Sequence, residues 1–134
     1  MLKSKKKMIL WSHDKKIKSY KVAIGIRSVG PKRYKGDLRT PEGCYVIESK
    51  NPHSMWYKNL GISYPDESDR KYARLHKFNP GGQVKIHGLS KRISWLEKLH
   101  SRRNWTAGCI AVSNSELDEI YANVRIGTPI EIKP

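Results

Sequence analysis

The pattern of apolar and polar positions predicts a chain built mainly of β-strands. Apolar and polar residues alternate from residue 17 to residue 27, as in a strand that buries one face. An apolar run over residues 8–11 comes before it, and the polar stretch 12–16 between them contains Asp14, a residue that turns favour. The two runs therefore predict a β-hairpin.

Later segments add further strands. Residues 83–87 alternate again, which puts His87 on the face opposite Val84 and Ile86. Two stretches rich in glycine and proline, 28–43 and 49–82, show no regular apolar pattern and are predicted to be loops, with a helical turn near residues 69–75. The remaining predicted strands are 44–48, 109–113 and 128–132.

One helix has a clear beginning. Ser113 and Glu116 have the spacing of a capping box, and the apolar residues from 117 to 124 recur at helical intervals. A second helix is predicted from Lys91 to about Ser101, with Ser90 as its cap. Because 134 residues fit one core, we expect a single, mostly β domain with one or two helices.

The charge is strongly basic, with 27 Lys and Arg against 12 Asp and Glu and a net charge of +15. Such a surface attracts polyanions, and both nucleic acids and anionic cell-envelope polymers meet that description. The longest apolar run, residues 8–11, is too short to cross a bilayer. No signal peptide is visible at the N-terminus, so either the protein stays inside the cell or the sequence begins after processing.

A histidine and a cysteine suggest the chemistry of the site. Cys109 follows Gly108 and lies 22 positions after His87. A thiol attacks as its thiolate and needs a base, which His87 can supply, while a preceding glycine leaves room for a carbonyl. These residues alone do not decide between a catalytic Cys–His pair and the alternative, which is a buried structural cysteine with a surface histidine.

The other cysteine and the histidines give weaker signals. Cys44 begins a predicted strand and is interpreted as a small buried apolar residue. The five histidines show no metal-ligand spacing, so no metal and no cofactor are predicted.

Several phrases of this sequence together resemble one known family. The chain is similar over nearly its whole length to the catalytic domain of the L,D-transpeptidases, which act on bacterial peptidoglycan. That family has one more early strand than is found here, so we expect residues 1–134 to form one catalytic domain that lacks the leader and the first strand. The resemblance rests on residues 30–32, 39–43, 62–65, 80–82, 86–88, 104–114 and 126–132.

The resemblance implies a mixed β-sandwich in which the strands bearing His87 and Cys109 meet at a cleft. It implies that Cys109 is the nucleophile and His87 its base, and that Gly88 orients the histidine through its carbonyl. The amides of Gly108 and Cys109 are the expected oxyanion donors, and Thr106 begins the cysteine motif.

The resemblance also suggests the surroundings of this pair. Residues 64–82 are expected to form a flap, and the expected substrate-binding residues are Trp105, Tyr64 and Trp95. Two positions depart from the family pattern: Ala107 replaces a histidine, and Ala111 replaces an arginine or asparagine. Both are expected to line the site, which leaves the acceptor open.

The implied reaction is a transfer through a Cys109 thioester. The donor is a tetrapeptide stem that loses its terminal D-Ala, and the acceptor is an amine of another stem. The chain is then expected to act as a monomer in the periplasm or cell envelope. Water as acceptor would make it a carboxypeptidase or a hydrolase that releases wall proteins, and a nucleic-acid-binding module is a remote alternative.

Overall fold

The computed structural model describes all 134 residues. Its first element is the predicted hairpin, made of β1 (Lys7–Ser12) and β2 (Lys15–Lys21). The two turn residues, His13 and Asp14, have φ angles of 49° and 61°, as a tight hairpin turn of this hand requires.

A mixed sheet of five strands forms the rest of the framework. Its order is β6-β5-β4-β3-β7, and all neighbours are antiparallel except β5 and β6. The predicted mostly β fold is confirmed. The strands are β3 (Gly43–Ser54), β4 (Tyr57–Ile62), β5 (Lys85–His87), β6 (Ile110–Ala111) and β7 (Pro129–Ile132).

The predicted loop over 49–82 is partly wrong. Its first residues extend β3 and then form β4, and Leu60 and Ile62 are almost completely buried. The pairing of β3 with β4 shifts register between Ile47 and Ser49 and again between Asn51 and Ser54. These irregularities break the alternation that would have marked the strands in the sequence.

The sheet edge at β6 is completed by the residues after β2. Ala23 bridges Ala111, and Gly25 bridges Thr106, so the chain from 22 to 25 runs beside the cysteine motif. The predicted strand therefore continues past β2 but changes partner, from the hairpin to the segment around Cys109. This connection fixes the cysteine motif between two other segments.

Two α-helices are present, and one predicted helix is wrong. α1 (Glu67–Leu75) and α2 (Asn114–Asn123) both begin with a capping box, the second at Ser113 as predicted. The segment 91–101 instead contains short 3-10 turns, Ser94–Leu96 and His100–Arg102, with no side-chain cap. Its apolar residues Trp95 and Leu99 are exposed, so no buried face stabilises a longer helix there.

One apolar core lies against the sheet, and it determines which side chains face the other way. Ile86 of β5 and Ile110 of β6 both belong to this core, together with Val84. Their neighbours His87 and Cys109 therefore point to the opposite face.

Neither α-helix has the length and apolar composition that a membrane span needs.

Candidate active site

The parallel pairing of β5 with β6 brings the predicted histidine and cysteine together. Ile86 pairs with Ile110, and His87 pairs with Ala111. Cys109 lies one residue before β6, which places it beside Lys85. Since side chains two positions apart share a face, Cys109 and His87 are diagonal neighbours, with Cα atoms roughly 8 Å apart from ideal strand spacings.

His87 is held as a base by the backbone next to it. Its Nδ1 lies 2.7 Å from the carbonyl oxygen of Gly88, which can only accept a hydrogen bond. Nδ1 therefore carries the proton, and Nε2 is left with a lone pair. Burial is the main cause that lowers the pKa of the imidazole and the charge of Lys85 adds to this effect, while the hydrogen bond to Gly88 acts in the opposite direction. The ring is consequently neutral near pH 7.

The backbone around Gly88 leaves no room for a side chain. A Cβ there would lie 2.3 Å from Oδ1 of Asn114 and 3.2 Å from the carbonyl of Trp56. The Asn114 side chain also brackets Leu89, accepting from its amide at 2.6 Å and donating to its carbonyl at 3.1 Å. These contacts fix the peptide whose carbonyl orients His87.

Two tryptophans pack around the imidazole of His87. Ring centroids are 5.3 Å apart for Trp56 and 5.8 Å for Trp105, and the two indoles are 5.6 Å from each other. Trp105 was predicted here from the sequence, whereas Trp56 was missed. Its only signal was a large aromatic residue in a polar stretch, and its position depends on the unpredicted β3–β4 hairpin.

The Cys109 thiol is half-buried and protonated at rest. Its Sγ lies 3.6 Å from the carbonyl oxygen of Gln83, to which the thiol donates. Burial raises the pKa of the thiol, while a backbone hydrogen bond from Lys85 and the charges of Lys85 and Lys32 act against this rise. Sγ makes no hydrogen bond to His87 in this arrangement, so proton transfer requires a change in the relative position of the two side chains.

The turn before Cys109 is held by Thr106. Its Oγ1 donates to the carbonyl of Cys109 at 2.6 Å and accepts from the amide of Gly108 at 3.2 Å. Gly108 has a φ of 135°, and a Cβ there would lie 2.7 Å from the carbonyl of Arg39. Of the two expected oxyanion donors, the Gly108 amide is thus already engaged, and the Cys109 amide has no hydrogen-bond partner.

A pocket of about 200 Å³ opens at the thiol. Its walls come from Lys32, residues 35–36, residues 81–84 and residues 107–109, including Ala107. The expected flap, residues 64–82, contains α1 and contributes its last two glycines to this pocket. Ala111 was expected to line the site too, but it is completely buried between β5 and Ala23.

Two predicted substrate-binding residues, Tyr64 and Trp95, do not line the pocket at the thiol. Tyr64 is buried in the core, and its hydroxyl donates to the carbonyl of Pro80 at 2.8 Å, which anchors the turn at 80–82. Trp95 is 77% exposed, and its indole donates to the carbonyl of Arg92. Neither ring contacts His87.

The remaining titratable residues do not add a metal site to this arrangement. No group of three or more His, Cys, Asp or Glu side chains could hold a metal ion. Cys44, predicted to be buried, is exposed, because its position in β3 faces solvent.

The fold and the site define a mixed β domain in which an oriented, neutral histidine ends one strand and a cysteine immediately precedes the neighbouring parallel strand. Comparison with protein families matches residues 2–132 to the YkuD family, the L,D-transpeptidase catalytic domain. The chain belongs to this family, as the sequence motifs predicted.

Similar proteins are longer than this chain. YafK of Escherichia coli strain K12, itself assigned to the L,D-transpeptidases, is 30% identical over 105 residues, which are 77% of this chain and 35% of YafK. Pgp2 of Campylobacter jejuni, a helical cell shape determining protein, superposes with a TM-score of 0.77 at 26% identity, covering 99% of this chain and 46% of that one. An L,D-transpeptidase from Mycobacterium smegmatis superposes with a TM-score of 0.65 at 14% identity, covering 99% and 56%. The chain thus spans about a third of the curated relative's length and about half of the two solved chains.

Proposed function

We propose that the protein is a cysteine acyltransferase of peptidoglycan, an L,D-transpeptidase that uses Cys109 as its nucleophile. One observation carries this proposal: the β5–β6 pairing puts the neutral His87 and the pocket-facing Cys109 on one face of the sheet. Membership of the family supplies the substrate class.

The first half of the reaction forms a thioester. His87 accepts the thiol proton at Nε2, and the sulfur attacks the carbonyl at the L-centre of the third residue of a tetrapeptide stem. The free Cys109 amide faces the developing oxyanion. The C–N bond then breaks, the electron pair goes to the amine of D-Ala, and the imidazolium returns its proton to that amine.

The second half transfers the acyl group. An amine of another stem attacks the thioester, His87 takes a proton from this amine, and the sulfur leaves as the thiolate. The product is a cross-linked dimer. Attack by water on the same thioester gives a tripeptide instead, so a carboxypeptidase or a hydrolase that releases wall proteins uses the same residues.

Purified disaccharide tetrapeptide distinguishes these outcomes. Mass analysis showing a cross-linked dimer supports transfer, whereas tripeptide as the only product supports hydrolysis. The Cys109→Ala variant is the control and is expected to form neither. A variant that forms dimer or tripeptide as fast as the wild type would refute the thiol mechanism. No product from either protein would favour a binding role, including the nucleic-acid-binding alternative.

A carbapenem tests the nucleophile without a wall peptide. We expect its strained carbonyl to acylate Cys109 and to leave an adduct that intact mass detects on the wild type. The Cys109→Ala variant retains Cys44 and should remain unmodified. No adduct on either protein would count against the transpeptidase proposal.

The proposed cellular location follows from the proposed substrate. Peptidoglycan lies outside the bacterial cytoplasm, so we propose that the protein acts in the periplasm or cell envelope, as a monomer. The net charge of +15 would hold it near anionic wall polymers. A salt-dependent association with isolated wall material, and none with neutral polysaccharide, is the expected result.

A further inference from the structure

A buried lysine lies next to the cysteine motif. The Lys32 side chain is only 5% exposed, and its Nζ donates to Oδ1 of Asp37 at 2.9 Å and to the carbonyl of Tyr34 at 3.1 Å. An ammonium group has three N–H donors, so one of them has no partner in the protein.

The two ends of the buried Lys32–Asp37 ion pair face different parts of the structure. The carboxylate of Asp37 faces its own loop, where it accepts from the amides of Arg33, Tyr34 and Arg39. The other end of the pair faces the site, because a Cβ on Gly108 would lie 4.0 Å from Nζ of Lys32 and one on Gly81 would lie 3.6 Å from its Cε. The cation is therefore the end nearer to Cys109.

A buried ion pair is a costly way to stabilise a loop. The free-energy cost of removing two charges from water opposes their attraction. Apolar residues of similar volume therefore often stabilise the folded protein equally well. Asp37 has an evident structural task, since it binds three backbone amides. Lys32 lines the pocket that contains Cys109, so its charge also acts on that pocket.

We propose that Lys32 is a positioning residue of the active site that acts through Cys109, stabilising the negative charge that the sulfur must carry before it attacks. The geometry puts one unpaired N–H and a full positive charge beside the Gly108–Cys109 turn, in a site that burial would otherwise keep neutral. This inference depends on the proposed function only in taking Cys109 as the nucleophile.

Other charged or titratable groups also lie near the sulfur of Cys109 and contribute to the electrostatic potential there. Lys85 lies beside Cys109 on β5, His87 shares its face of the sheet, and Lys35 lines the same pocket but is exposed. Asp37 lies behind Lys32 and cancels part of its field. Because Lys32 is buried and Lys35 is in water, the Lys32 charge should act more strongly on the thiol.

The test is the rate at which iodoacetamide alkylates Cys109 as a function of pH. The measurement is made in a Cys44→Ser background, so that Cys109 is the one remaining thiol. Cys44 is exposed and has no part in the site. Lys32→Gln should move the rate profile to higher pH and slow alkylation at neutral pH by about threefold to tenfold. Lys16→Gln, at an exposed lysine of β2 that lies outside this pocket, is the matched control and should leave the profile within about twofold.

Asp37→Asn supplies a prediction of opposite sign. It leaves the Lys32 charge uncompensated, so alkylation at neutral pH should become faster, whereas a merely structural disturbance would not reverse direction. If Lys32→Gln fails to fold, the direction seen with Asp37→Asn decides alone. Unchanged profiles, or shifts of both variants in the same direction, would overturn the proposal. No wall peptide is used, so the result stands even if the protein proves inactive on peptidoglycan.

Discussion

The Nδ1 of His87 lies 2.7 Å from the carbonyl oxygen of Gly88, and this hydrogen bond leaves Nε2 as the acceptor on the cysteine-bearing face of the sheet. Burial lowers the pKa of this imidazole below its usual 6.5. A base acts in its neutral form, which a lowered pKa preserves to more acidic pH.

The pH dependence of activity follows from that shift. We expect the acidic limb of kcat/KM against pH to lie below pH 6.5, because His87 must be protonated before the rate falls. Stem-peptide turnover measured from pH 4.5 to 8 tests this. An acidic limb well above pH 6.5 would show that the neutral imidazole is not the base.

Trp56 should matter for activity through its contact with His87. Trp56→Ala removes an indole whose centroid is 5.3 Å from the imidazole, so water reaches the ring and the pKa of His87 should rise toward its usual value. We expect kcat/KM to fall by about tenfold and the acidic limb to move to higher pH. Trp11→Ala, at an indole that is 57% exposed on β1, is the control and should change neither.

Gly88→Ala should destabilise the protein as well as inactivate it. The new Cβ would lie 2.3 Å from Oδ1 of Asn114, so the turn after His87 has to move. Overpacking of this kind costs about 1–3 kcal/mol, which urea unfolding can measure. Gly82→Ala meets only Pro65 Cδ at 4.0 Å and should leave the free energy of unfolding nearly unchanged. Equal losses in both variants would contradict the role of Gly88.

The Thr106 hydroxyl can be tested with two conservative variants. Thr106→Val keeps the shape but removes the bonds to the Cys109 carbonyl and the Gly108 amide, at a cost of roughly 1–3 kcal/mol. Thr106→Ser keeps both bonds and should retain most activity. If serine is as damaging as valine in a peptide-turnover assay, the hydroxyl is not what holds this turn.

The site was predicted best where a motif carries the chemistry. His87 and Cys109 could be paired from the sequence because the motifs around them resemble those of one family, whereas their residue types alone left a structural cysteine with a surface histidine as the alternative. The resemblance also implied that the Gly88 carbonyl orients His87. The engagement of the Gly108 amide by Thr106 could not be predicted, since it depends on a hydrogen bond made across a turn.

The fold was predicted best where one face of a strand or helix is buried. The hairpin and α2 show clear periodicity and were found, whereas β4 follows a register shift and was not. The predicted helix over 91–101 had the right spacing, but Trp95 and Leu99 face solvent and tertiary packing does not support it. Tyr64 was assigned to the substrate because sequence does not distinguish a pocket aromatic from a core aromatic.

Detection of the acyl-enzyme intermediate tests most directly whether Cys109 is the nucleophile. The protein should be mixed with a tetrapeptide donor, quenched in acid within seconds and analysed by intact mass and peptide mapping. We expect the mass of the stem without D-Ala on Cys109 in the wild type and no adduct in Cys109→Ala. Product formation by Cys109→Ala, or an adduct mapped to another residue, would contradict the assignment of Cys109 as the nucleophile.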